Sequence, residues 1–279
     1  MHVLGTGGSS QVWRALDLHE KKDVAVKIQE MEMESSWSEE CKIHRDLIHE
    51  NVVPCFDSFE IQIDAKSSVF AIVLECCEGP NLGEMMEDSR GVWSERDGCA
   101  ILFQIMSGMK YLSQNGIIHY DLKPGNIVFD EKGNAKITDF GMSQKIDETA
   151  DADGGIKLTF RERCKGTYMY MAPECFSDDE NVRVSNKVDV FAIGVMFYQL
   201  IVGKRPFGHG MTRDKFLAKQ TEVHAEEVKF PDEEEAANPS NPAISNGAKD
   251  FIRACLQLEQ KDRLTMNELC EHDYLTSSL

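Results

Sequence analysis

Short β-branched runs separated by turn residues fill the first third of this chain and then stop. "QVWRALDL", "DVAVKI" and "SVFAIVLE" have the length and the Val/Ile content of strands. One helical stretch, "SEECKIHRDLI", interrupts them, with Ile43 and Leu47 four apart on one face. From about Asn81 the period lengthens: "CAILFQIMSGMKYLSQNG" and "NKVDVFAIGVMFYQLIVG" read as helices, closed by Gly116 and Gly203. A chain that segregates strands from helices in this way is expected to fold as α+β with two lobes. Residues 1–78 form the small strand-rich lobe and 79–279 the larger helical one, meeting near "ECCEGPNL". No internal repeat or low-complexity segment interrupts the plan.

The 279 residues, 42% of them hydrophobic, suffice for a sizeable core. The longest strongly apolar stretch, Val190 to Val202, is too short to span a bilayer and reads as a buried helix, and "MHVLGTGGSS" has no apolar signal region, so no membrane partner is expected. Nine cysteines without a CxxC spacing suggest neither a disulfide framework nor a zinc site, which makes cytosol or nucleus the default. Forty-eight acidic against 30 basic residues give a formal charge of −18, which argues against direct nucleic-acid binding and suits basic protein partners. An acidic run, "KFPDEEEAANPSNP" at 229–242, reads as a solvated loop.

Chemistry-bearing residues follow one another in a definite order. "GTGGSSQV" sets Gly5 and Gly7, with Gly8 beside them, ahead of Val12, and Ser10 stands where a third glycine would complete G-x-G-x-x-G-x-V. Glycines without Cβ let backbone amides approach phosphates closely, although a Gly/Ser-rich start is by itself often only a tail. Lys27 then ends the apolar run "VAVK", where its charge must reach water or a partner. Glu40 on the following helix could pair with it and hold it against nucleotide phosphates, with Glu39 and Glu34 as alternatives.

"HYDLKPGN" offers Asp121 to orient a substrate hydroxyl and accept its proton, Lys123 to neutralise a transferring phosphoryl group, and Asn126 as a ligand to Mg²⁺. Thirteen residues beyond Asn126, "ITDFG" places Asp139 after a β-rich run, where its carboxylate could bind Mg²⁺ bridging β- and γ-phosphates. A lone Asp-Phe-Gly carries little information. The ordered set of glycine loop, strand lysine, helix glutamate, HxDLxxxN, DFG and "APE" at 172–174 carries much more. Such a set points to phosphoryl transfer from ATP by positioning and charge neutralisation.

With these residues in view, the whole chain resembles the eukaryotic protein kinase family, which implies a two-lobed kinase fold using ATP and Mg²⁺. "DLKPGN", with Lys123, and "GTYMYMAPE", with Thr167, look like the serine/threonine subclass. The resemblance implies that Leu74 is the gatekeeper and that Glu75 and Cys77 bind adenine through their backbone, with Leu4, Val12, Ala25 and Val128 sandwiching the ring. Asp189 looks like the helix aspartate that braces the catalytic loop, and Arg263 like the partner of Glu174. "IIHYDLKPGNI", "GTYMYMAPECF", "SNKVDVFAIGVMFYQLIVGKRPFGH" and "AKDFIRACL" are more narrowly similar to the Tousled-like kinases, in which tyrosine precedes the catalytic aspartate and serine replaces the third glycine. That narrower resemblance implies a nuclear kinase acting on anti-silencing histone chaperones in chromatin assembly and DNA replication, self-associating through an N-terminal coiled coil. The coiled coil is absent here and the chain starts almost at the glycine loop, without the start of the first strand, so a fragment or a minimal form is expected. Ala172-Pro173-Glu174 keeps the generic kinase form where that subfamily is expected to have Pro-Pro-Glu.

Tyr120, where most such loops carry arginine, raises the alternative of a pseudokinase scaffold that binds nucleotide or partners without catalysis. Lys27, Asp121 and Asp139 are all retained, which favours the active enzyme, and "GTYMYMAPE" favours a protein over a small-molecule substrate. The segment 142–171 holds Ser143, Thr149, Thr159, Thr167, Tyr168 and Tyr170 as possible phosphate acceptors, with Arg161, Arg163 and Lys165 as possible substitute charges. An arginine at position 120 would pair with a phosphate on that segment; tyrosine cannot, so activity is expected to depend less on its phosphorylation than on assembly or partner contact.

Overall fold

The computed structural model of the chain describes residues 2–6, 10–30, 37–64, 68–88, 93–146, 155–233 and 243–277. Five antiparallel strands build the first lobe: β1 (His2–Thr6), β2 (Ser10–Asp17), β3 (Lys22–Glu30), β4 (Cys55–Gln62) and β5 (Ser68–Glu75), in the order β1-β2-β3-β5-β4. Helix α1 (Trp37–Arg45) crosses between β3 and β4. Register sets Val12 beside Lys27 and Lys27 beside Ile72, while Ala25 pairs with Leu74. The two-residue period of a strand therefore puts Val12, Ala25, Lys27, Ile72 and Leu74 on one face. Cys41 of α1 and Val53 pack against that face.

β4 carries no apolar run in the sequence; its strand signal is the alternation of Phe59 and Ile61 with Glu60 and Gln62. It lies at the sheet edge, where exposed charge is tolerated and discourages further strand pairing.

The second lobe begins with α2 (Leu82–Asp88) and α3 (Glu95–Gln114). Ser94 caps α3 by accepting the Asp97 amide, and Gly116 at φ +67° turns the chain where a Cβ would be strained. Short strands follow: β6 (Ile117–Ile118), β7 (Ile127–Phe129), β8 (Ala135–Ile137), β9 (Gln144–Lys145) and β10 (Ile156–Lys157). β6 pairs with β9 and β7 with β8, which fixes the loop 119–126 against the turn 138–143. After α4 (Phe160–Arg163) and β11 (Arg183–Val184), helix α5 (Lys187–Val202) runs through the core, buried on nearly every side. A helix apolar all round has to be covered all round. α3, α6 (Arg213–His224), α7 (Asn246–Cys255), α8 (Met266–Cys270) and α9 (Asp273–Ser277) complete the lobe and its apolar core.

The acidic run differs in part from its sequence reading. Phe230 is fully buried, Asp232 pairs with Lys249 at 2.7 Å and Glu233 with Arg253 at 2.9 Å, so the run starts as a strap neutralising two cations of α7. Residues 234–242 lie outside the described residues.

Gly194 marks the tightest approach of α5 to the end of α7, since a Cβ there would stand 2.6 Å from the Cys255 Cβ and 2.9 Å from Leu256. Overpacking of this kind costs about 1–3 kcal/mol. Gly194→Ala is expected to lower the thermal midpoint by roughly 2–10 °C, measured by calorimetry; an unchanged midpoint would contradict the packing described.

Candidate active site

A cleft of about 430 Å³ opens between the sheet and the helical lobe. Its apolar slot is lined by Leu4, Val12 and Ala25 from the sheet, Leu74 at the end of β5, Cys77 and, from β7, Val128. Gly5 and Glu75 also line it, while the Glu75 side chain pairs with the buried Lys136 of β8 at 2.9 Å. Gly7 and Gly8 lie outside the described residues, as do Glu34 and Thr149.

Lys27 lies at the polar end of this slot. Its Nζ donates to Glu40 Oε1 and to Asp139 Oδ1, each at 2.8 Å, and both Lys27 and Glu40 are buried. Burial alone would push the ammonium toward neutrality, but Glu40 and Asp139 outweigh it and hold the lysine charged, above its ordinary range. Glu40 is thus brought to Lys27, while the side chains of the other two candidates, Glu34 and Glu39, lie outside the described residues. Strand β3, helix α1 and the turn at Asp139 meet at one cation.

The loop after β6 is held from below. Asp189, in the first turn of α5 and 1% exposed, accepts the amide of His119 at 2.8 Å and of Tyr120 at 2.9 Å. These bonds hold Tyr120 at φ +69°, a left-handed conformation that a bulky residue adopts only under outside constraint. The turn sets Asp121 against Lys123 and Asn126, which line the cleft. Asp121 Oδ1 accepts the amide and the hydroxyl of Thr167 at 2.7 and 2.6 Å, and Oδ2 accepts Lys123 Nζ at 2.6 Å. Lys123 also donates to Thr167 Oγ1 at 2.8 Å. Asn126 donates from Nδ2 to the Asp121 carbonyl at 2.8 Å, which leaves its amide oxygen for another partner.

Asp139 is the second left-handed residue of the site, at φ +67°. Lys27 draws its carboxyl below the usual range against the opposing effect of burial. Next to it Phe140 is fully buried, 4.4 Å from the His44 ring of α1 and 5.2 Å from His119. A carboxylate and an amide oxygen on one cleft wall are hard donors, and among the described residues no cluster of three or more His, Cys, Asp or Glu stands ready to hold a metal alone. That sparse set fits Mg²⁺, which takes one or two protein oxygens and completes its shell with phosphate and water.

His44 and Lys136 carry no signal in the sequence. Both sit in patterns that look like an ordinary helix face and an ordinary strand, and only the closed fold reveals their neighbours. Thr167, which the motif marks only as part of a docking segment, touches Asp121 directly through its hydroxyl. Arg263 and Glu174 make a bidentate pair at 2.8 and 3.1 Å with Arg263 1% exposed.

Comparison with known proteins agrees with this geometry. The protein kinase domain family model matches residues 1–275, and the chain belongs to that family. Over 292 residues it is 38% identical to the serine/threonine-protein kinase TOUSLED of Arabidopsis thaliana, covering 100% of this chain and 40% of that protein. It is 38% identical over 293 residues to the serine/threonine-protein kinase tousled-like 1 of Homo sapiens, covering 99% of this chain and 36% of that one. The tousled-like 1 protein of Caenorhabditis elegans is 39% identical over 291 residues, with 98% of this chain and 28% of that protein covered. The chain therefore spans less than half the length of each of these relatives.

His44 is 1% exposed, and its Nε2 lies 2.6 Å from the Val53 carbonyl, to which the neutral ring donates. Burial pushes its pKa down from 6.5 to about 4, with Lys27 and His119 acting in the same direction and the Val53 carbonyl and Asp139 opposing. The unfolded chain thus takes up this proton first, so the stability tied to the neutral ring is complete above pH 6.5 and is lost as pH falls toward 4. Wild type is expected to lose ~2 kcal/mol more than His44→Leu between pH 7.5 and pH 5 in denaturant titrations. Equal losses would contradict the assignment.

Proposed function

We propose that this chain is a Mg²⁺-dependent serine/threonine protein kinase of the Tousled type, transferring the γ-phosphate of ATP to protein hydroxyls. The observation that carries the reading is the convergence of Lys27, Lys123, Asn126 and Asp139, scattered over more than a hundred residues of sequence, on one cleft with an apolar slot at its end, with Asp121 bonded to Lys123 and Asn126 beside it. An apolar slot suits a purine ring, and the paired ammonium beside it suits the phosphates.

In this reading Lys27, held by Glu40, positions the α- and β-phosphates. When bound, Mg²⁺ at Asp139 and Asn126 supplies positive charge to the β- and γ-phosphates. Asp121 orients the substrate hydroxyl and accepts its proton as the hydroxyl oxygen bonds to the γ-phosphorus. The bond from that phosphorus to the β–γ bridging oxygen breaks, and the oxygen leaves with the electron pair as ADP. Lys123, already against Asp121, neutralises charge on the phosphoryl group in flight. The Thr167 hydroxyl ties Asp121 to the segment on which a peptide would lie, so the base and the docking surface move as one unit. Retention of each of these groups favours an enzyme over a scaffold.

The finer reading is a nuclear kinase that phosphorylates an anti-silencing histone chaperone and, in a longer form, self-associates through a coiled coil. Its support is the resemblance of the sequence motifs to Tousled-like kinases, together with identity of 38% to proteins bearing that name.

Incubated with Mg²⁺ and γ-labelled ATP, the protein is expected to label a serine or threonine peptide, and purified histone chaperone more than a generic basic protein. Asp121→Asn is expected to cut the rate by about a hundredfold or more. Equal silence of wild type and variant, with nucleotide still bound, would replace the enzyme by the scaffold.

A further inference from the structure

A groove of about 590 Å³ lies between the segment 160–178 and the start of α6, and the transfer chemistry does not use it. Two of its lining residues, Gly166 and Tyr168, are the chain neighbours of Thr167, whose amide and hydroxyl are bound to Asp121. An extended chain advances about 3.3 Å per residue, so a polypeptide with its hydroxyl at Asp121 has one flank within a few residues of the groove.

Two large apolar side chains stand open there: Phe160 of α4, 49% exposed, and Leu217 of α6, 37% exposed. The surface around them is firmly held. Phe216, 1% exposed, packs against the Tyr168 ring at 5.2 Å and the Phe176 ring at 6.2 Å, and the Arg163 guanidinium lies 5.9 Å from the Phe160 ring. Apolar surface left in water between fixed walls is stabilised when an apolar side chain displaces that water. Lys165 and Arg213, both exposed, also line the groove, and Asp178 is its one carboxylate among the described residues. Their charge is opposite in sign to that of the chain as a whole, −18.

We propose that this groove takes one flank of the protein substrate and selects there a large apolar side chain together with a carboxylate; the proposal rests on the kinase reading above. Phe160 and Leu217 receive the apolar side chain, and Lys165 and Arg213 receive the carboxylate. These four determine specificity and are not catalytic, since none touches the phosphoryl group. The whole-chain charge suits basic partners, but it is a sum over the entire surface. A flank lying in the groove responds to the charges within a Debye length, about 8 Å, and a basic flank would face two cations at close range. Continuity with Thr167 and Asp121 favours the substrate over a second copy of this chain, for which nothing would require a place beside the acceptor site.

The test is steady-state kinetics with serine peptides that differ only in their flanks, leucine against alanine and glutamate against lysine, placed before or after the serine. Wild type is expected to show kcat/KM about tenfold or more higher for leucine with glutamate than for alanine with lysine, on one side of the serine only. Adding about 0.5 M salt is expected to shrink the preference for glutamate and to leave that for leucine. Arg213→Glu is expected to abolish or reverse the preference for glutamate over lysine, and Leu217→Ala to cut that for leucine over alanine to about twofold, with KM for ATP within about twofold in both. A general loss of structure would lower every rate and leave these ratios alone. Thermal unfolding shows whether each variant is folded, and Lys165→Glu carries the charge test if Arg213→Glu is not. Wild-type kcat/KM within about twofold for every flank, or preferences that survive all of these substitutions, would overturn the groove assignment and leave the kinase reading in place. A dimer in sedimentation that Leu217→Ala weakens, with no flank preference, would put a second copy in the groove and also overturn it. Wild type that binds nucleotide but transfers to no peptide would overturn the kinase reading instead.

Discussion

One buried carboxylate organises the centre of this molecule. Asp189 sits in the first turn of α5, a helix buried on nearly every side, where burial would make an unpaired charge prohibitively expensive. Two consecutive amides, of His119 and Tyr120, satisfy it, and the N-terminal end of α5 adds the favourable end of the helix dipole. The exchange works both ways. The carboxylate is stabilised only if the loop turns left-handed at Tyr120, and the loop keeps that conformation only because the carboxylate is there.

Everything functional hangs from that turn. On one side the His119 ring lies tilted against Phe140, which in turn lies against His44 of α1, the helix that also brings Glu40 to Lys27. On the other side Tyr120 reaches into the segment that carries Arg163, and Asp121 reaches the Thr167 hydroxyl of the same segment. The lysine in the sheet, the aspartate of the DFG turn and the segment that carries Thr167 are therefore connected to a single buried anchor. A change in any of these would be felt at the others through packed rings and charged hydrogen bonds rather than through free loops.

Much of this was legible before the fold was known, for a physical reason. Strand and helix periods mark elements whose one face is buried, so β3, β5, α3 and α5 announced themselves and the two-lobed α+β plan followed. Glycine and aspartate at fixed spacings mark places where the backbone must turn sharply or a charge must be held, so Asp121, Asn126 and Asp139 were readable. Other residues were not. β4 is an edge strand whose period shows only as the alternation of Phe59 and Ile61 with Glu60 and Gln62, without an apolar run, and residues 229–233 look solvated until Lys249 and Arg253 are seen beneath them. His44 occupies an ordinary helical core position, and which of Arg161, Arg163 and Lys165 becomes buried depends on a four-residue helix capped by Thr159. Burial of a polar group is a property of the closed structure, not of its neighbours in sequence.

The anchor itself is open to a direct measurement. Asp189→Asn keeps the shape but replaces one acceptor oxygen by a donor, so one of the two amides loses its partner. Steady-state kinetics of this variant should show kcat lowered about tenfold or more, with KM for ATP within about twofold and the thermal transition still cooperative. A kcat within about twofold of wild type in a folded variant would contradict the claim that Asp189 sets the geometry of the catalytic loop.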